Sequence, residues 1–101
     1  DRLPKLFKCK GIITARLEKY RDITEGWLKK YEVNYGELIM YPTEKEKLRD
    51  SNHVVEAAKF KSQIYSSSDA KIYIESEKAE AEQIRNLTKK IVVCPQEERF
   101  A

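Results

Sequence analysis

The sequence predicts a mainly β domain closed by one C-terminal helix, an α+β class. Three observations carry this expectation. In GWLKKYEVNYGELIMYP, from Gly26 to Pro42, two apolar runs flank a Tyr-Gly pair, as the arms of a β-hairpin do. Short β-prone segments, Ile12-Ile13-Thr14 and KIYIE at 71–75, lie on either side of that stretch. Near the end, Ala81, Ile84, Leu87, Thr88 and Ile91 fall at steps of three and four, the apolar stripe of an amphipathic helix.

Taken in order, residues 6–17 (LFKCKGIITARL) read as the first strand, and the mixed charges of 18–26 (EKYRDITEG) read as a loop. The hairpin follows. Tyr31 and Val33 alternate on its first arm, Leu38 and Met40 on its second, Gly36 supplies the turn and Pro42 stops the pairing. The charged stretch 43–52 is a connection with room for a helical turn. His53 to Phe60, with Val54 and Val55 as its β-formers, is expected to be a strand, and 61–66 a weaker one. A turn at 67–70 leads to the strand at 71–75. Ser76 is the expected N-cap of a helix over 77–92, with Glu77, Glu80 and Glu82 in its N-terminal half and Arg85, Lys89 and Lys90 towards its C-terminus. Pro95 ends it.

A chain of 101 residues is expected to form one domain, with its core over about 6–93. It is long enough to bury roughly 60–65% of its unfolded surface. Asp1 is an unusual start, so the expectation is a segment of a larger protein. No apolar run approaches the roughly 20 residues of a membrane span. The two cysteines, Cys9 and Cys94, are far apart, and His53 is the single histidine, so no metal site is expected. Two reduced thiols are the simpler reading of the cysteines, a disulfide joining the ends the other. Reduced thiols fit an intracellular compartment.

Charge is distributed unevenly. Residues 1–30 carry nine Lys/Arg and four Asp/Glu, a net +5, while 31–101 carry eleven and thirteen, a net −2. A basic front implies an anionic partner, and a solvated mixed-charge surface is the plainer alternative. Catalysis is not expected. No nucleophile motif or Gly-rich phosphate loop is present, the chain has only three glycines, and His53 reads as a structural or surface residue. No cofactor is implied.

The strand order and three pieces of sequence resemble the pleckstrin homology (PH) domain family, as an atypical member. Lys10-Gly11-Ile12-Ile13 is similar to the family's opening strand. GWLKKYEVNYGELIMY is similar to its second and third strands. KIYIESEKAEAEQIRNLTKKI is similar to its last strand and helix. The resemblance implies a bent antiparallel barrel of about six to seven strands capped by the helix, with residues 42–70 holding the middle strands. It also implies a non-catalytic module that binds acidic phospholipid headgroups through the region of the first two strands. The family's tight phosphoinositide sites place a lysine late in the first strand, then two basic residues two apart in the second. Here Ala15 stands at the first place, with Arg16 beside it. Lys29 or Lys30, depending on register, fills one of the other two, and the register that keeps Glu32 out of the core selects Lys29.

The expected site is therefore a looser anionic-lipid cluster of Arg16, Lys19, Arg21, Lys29 and Lys30, of atypical specificity, with Tyr20 and Ile23 inserting shallowly among headgroups. The expected location is cytoplasmic and peripheral at membranes. The alternative is a protein–protein interaction module within a larger signalling or scaffold protein. Nucleic acid is disfavoured, because the total charge is modest and Tyr31, Tyr41 and Tyr73 are as readily explained by a sheet as by base stacking. Trp27 is read as a core or rim packing residue, whose loss costs about 3–5 kcal/mol if it is buried.

Overall fold

The computed structural model describes residues 9–95. It contains no barrel among them. Four short strands form two separate two-stranded sheets, both parallel, and four α-helices carry most of the rest. The expected antiparallel barrel with a single C-terminal helix is overturned by this topology. The chain divides into two compact units, one up to Glu46 and one from Lys47 onward.

The first unit is a strand–helix–strand. β1 (Cys9–Leu17) pairs in parallel with β2 (Tyr35–Tyr41), from Cys9 opposite Tyr35 to Leu17 opposite Tyr41, with an irregularity between Thr14 and Leu17. Parallel neighbours need a long crossover. The segment expected to be a loop and the first hairpin arm supplies it. A 3₁₀ turn (Glu18–Tyr20) leads into α1 (Arg21–Lys30). The helix wins because Thr24 and Leu28, four apart, face inward and are buried. The strand alternation rested on Tyr31 and Val33 alone. Tyr31 and Val33 instead close the helix end, where their amides donate to the carbonyls of Trp27 and Leu28 and Glu32 takes a left-handed φ of 57°. Leu28, Leu38 and Met40 form the small core, with Ile12, Val33 and Tyr35 against it. Gly36 makes no turn. It lies inside β2, where a Cβ would run into the carbonyl oxygen of Lys10 on the paired strand.

α2 (Glu46–Ser51) matches the helical turn expected in the charged connection. The two strands expected over 53–66 are one helix, α3 (His53–Ser67). Its buried face is Ala57, Ala58, Lys61, Ser62 and Tyr65, spaced at three to four residues, and this period overrides the β preference of Val54 and Val55. β3 (Ile72–Ile74) falls where a strand was expected. α4 (Lys78–Thr88) is shorter than the expected helix. It starts at Glu77, whose carboxylate accepts the amide of Ala79, and ends at Lys89, which takes a left-handed φ of 59°. That stop frees the β-branched run β4 (Ile91–Val93) to pair in parallel with β3, Ile72 opposite Ile91 and Ile74 opposite Val93. Ala58, Tyr65, Ala81, Ile84, Val92 and Cys94 form the core of this unit, with Ala70 and Tyr73 packed on it. Both cysteines are free thiols.

Candidate functional site

Two features of the molecule gather chemistry-bearing side chains: the outer surface of α1, and a buried charge cluster in the second unit.

On α1 and its two flanking residues, Tyr20, Ile23, Trp27 and Tyr31 follow one another at steps of three and four, so they share one face. All four are exposed, Ile23 at 65% and Trp27 at 57%. The Trp27 and Tyr31 rings lie 4.9 Å apart, tilted by 51°. Of the two places the sequence suggested for Trp27, core or rim, the core is excluded. The core contact of this helix is made by Leu28.

The five expected cations differ sharply in what they are doing. Arg21 is committed. Its Nε and Nη2 donate to both oxygens of Glu18 at 2.9 and 2.7 Å, Nη1 donates to Glu25 at 3.1 Å, and Nη2 also reaches the Leu38 carbonyl at 2.9 Å. The hydrogen bond from Arg21 holds the Glu18 carboxyl below its ordinary range. The bonds to Glu18 and Glu25 raise the guanidinium further still. This side chain fastens the helix start to β2 and has little left for a ligand.

Lys19 pairs with Glu46 at 3.4 Å, a half-exposed contact of little strength, and stands 5.4 Å from the Tyr20 ring. Arg16 is exposed on β1. Its Nε donates to Thr24 Oγ1 at 3.1 Å, and the Thr24 hydroxyl in turn donates to the Tyr20 carbonyl at 2.9 Å. Lys29 and Lys30 sit at the exposed C-terminal end of α1, and no carboxylate pairs with either among the described residues. Lys30 Nζ lies 5.6 Å from the Tyr31 ring, beside the aromatic stripe. Structure thus places Lys30 at the stripe's edge and Lys29 at the same helix end, while Arg21 is tied down elsewhere.

The second feature was not legible in the sequence. Lys61 on α3 donates to Glu80 of α4 at 2.7 Å and to Glu75 at 3.0 Å, with all three side chains nearly inaccessible. Burial alone would push the lysine down, but the Glu80 hydrogen bond and the two carboxylate charges outweigh it, so its pKa is raised. Glu75 also accepts the Glu77 amide at 3.1 Å. Burial pushes the Tyr73 hydroxyl well above the ordinary tyrosine range, and the Glu75 and Glu80 charges push it further. Along the chain both carboxylates have lysines for neighbours, Lys71 and Lys78, a pattern that reads as solvated surface. Glu75 and Lys61 are fourteen residues apart, so no local spacing announces the pair. A buried, hydrogen-bonded cluster of this kind acts as a fastener of α3 to the β3–α4 segment. It offers no open position for a substrate.

His53, at the exposed start of α3, faces no such cluster. No group of three or more potential metal ligands occurs among the described residues, and none of the described helices is long and apolar enough to cross a membrane. Compared with known protein families, curated proteins and solved structures, the chain matches none.

Proposed function

We propose that the first unit is a non-catalytic module that binds acidic membrane surfaces peripherally. The observation that carries this reading is the exposed stripe of Tyr20, Ile23, Trp27 and Tyr31 ending at two lysines that pair with no carboxylate among the described residues. Aromatic rings with one apolar and one polar side favour the headgroup level of a bilayer. A helix lying in that plane inserts its apolar face and keeps its cations at the phosphates. Each lysine near an anionic surface contributes about 1 kcal/mol. Lys29 and Lys30, with help from Arg16 and Lys19, therefore give weak binding that fades with salt.

The test is co-sedimentation with vesicles of graded phosphatidylserine content, at low and near-physiological salt, with Lys29→Glu/Lys30→Glu run beside wild type. Binding that needs anionic lipid and is lost in the double variant is the expected result. No binding of wild type at low salt would overturn the reading.

A second reading, protein docking, is favoured by one observation in the second unit. Parallel strands are as a rule covered on both faces, yet Ile72, Ile74 and Ile91 stand exposed on one face of the β3–β4 sheet. Failure of the vesicle experiment would leave this aliphatic face as the stronger interaction surface.

A further inference from the structure

The surface of the first unit also contains a cleft, and it goes beyond what headgroup binding by the stripe requires. The cleft has a volume of about 320 Å³, at the small end of the roughly 300–1,000 Å³ typical of ligand sites. Ile12 of β1, Leu38 of β2 and Ile23, Trp27 and Leu28 of α1 make its walls apolar. One charged side chain lines it, Arg16.

Arg16 is held in a defined orientation. Its Nε is taken by Thr24 Oγ1, and Thr24 is itself buried and anchored to the Tyr20 carbonyl. That leaves the two terminal nitrogens to act as an end-on fork. No carboxylate pairs with Arg16 among the described residues. A guanidinium so placed matches a planar carboxylate in charge and shape. The contrast with Arg21 on the same unit is direct, since that guanidinium already donates to Glu18, Glu25 and the Leu38 carbonyl.

We propose that this cleft binds a single-chain aliphatic carboxylate, the chain lying between Trp27 and the β1–β2 surface and the carboxylate meeting the terminal nitrogens of Arg16. The ligand class follows from the lining: apolar walls for one chain, and one cation for one anionic end.

The experiment uses monomeric decanoate, below its micelle-forming concentration, titrated into the protein while Trp27 emission is followed. Trp27 is the only tryptophan of the chain, so the signal comes from the cleft wall. Expected is a saturable shift of emission to the blue. Decan-1-ol, which keeps the chain and lacks the charge, binds at least about tenfold more weakly, the worth of a charge-assisted hydrogen bond. Arg16→Gln weakens decanoate by about the same factor. Lys29→Glu/Lys30→Glu changes it by less than about twofold, since neither lysine lines the cleft. Equal binding of decanoate and decan-1-ol would overturn the proposal, without depending on how any variant folds. So would a non-saturable signal, or loss of decanoate binding in the lysine double variant. Binding to phosphatidylserine vesicles with no response to decanoate would leave the membrane reading standing and sink this one.

Discussion

Each half of this molecule contains a parallel strand–helix–strand, β1–α1–β2 in the first unit and β3–α4–β4 in the second, and the two halves treat charge in opposite ways. In the first, cations stand outside. Lys29 and Lys30 end a helix whose aromatic stripe faces solvent, and Arg21 is clamped in a half-exposed network. In the second, a lysine goes inside. Lys61 is buried between Glu75 and Glu80, while the residues left in solvent include Ile72, Ile74, Leu87 and Ile91. The difference teaches that a count of charges along a chain locates the half that carries an excess. It does not say which of those charges is available. Availability depends on pairing, and pairing joins residues far apart in sequence.

The largest effect is expected from removing the buried cation. Lys61→Ala leaves two carboxylates facing each other out of water, and the expected loss is about 3–5 kcal/mol in denaturant unfolding. A loss within about 1 kcal/mol would mean that water reaches the cluster. Lys29→Ala, the matched change in the first unit, is expected to move stability by no more than about 0.5 kcal/mol.

Alkali probes the same cluster without mutation. Lys61 and Tyr73 both have raised folded-state pKa values, from ordinary values of 10.5 and 10.0. A raised pKa means that the folded state holds its proton longer. The stability these two groups supply is therefore complete below about pH 10 and is lost as pH climbs through their folded values. Thermal melts should hold level from pH 7 to 9 and fall above 10, less steeply in Tyr73→Phe. A fall already complete by pH 9 would contradict the account.

The sheet of the first unit gives a smaller effect. Gly36→Ala places a methyl group against the Lys10 carbonyl, and the expected loss is about 1–3 kcal/mol, read by chemical denaturation. Trp27→Ala is expected to cost under about 1 kcal/mol, because the ring is mostly exposed. A cost of 3–5 kcal/mol would restore the packing role that the sequence suggested. Smallest, and opposite in sign, is Gly26→Ala. Gly26 lies inside α1 with open space where a Cβ would go, so alanine should stabilise by about 0.5–1 kcal/mol in the same measurement.

Much of the local structure was legible where one signal dominated. The β-branched residues of β1 and β3 marked strands, and the stripe of Ala81 and Ile84 marked α4. Reading failed where two periods competed. Tyr31 and Val33 alternate like a strand, but Thr24 and Leu28, four apart, supply the buried face of a helix, and the helix took the segment. α3 hid for a different reason. Its buried face is made of alanines, a serine, a lysine and a tyrosine, so no large aliphatic residue outlines it, and Val54-Val55 favour a strand locally. β4 was absorbed into the preceding helix because Ile91 continues that helix's spacing, and only the left-handed turn at Lys89 separates them. Of the candidate site, the basic front, Tyr20 and Ile23 were visible in composition. The role of Arg21 was not, since its carbonyl partner Leu38 lies seventeen residues away on β2.

The most direct test of the central claim is the emission spectrum of Trp27 with phosphatidylserine vesicles at low salt. Expected is a blue shift that grows with anionic lipid, is absent with phosphatidylcholine alone, and reverses as salt is raised to near-physiological levels. An unchanged spectrum at saturating anionic lipid and low salt would contradict it, and the aromatic stripe of α1 would then have no membrane to meet.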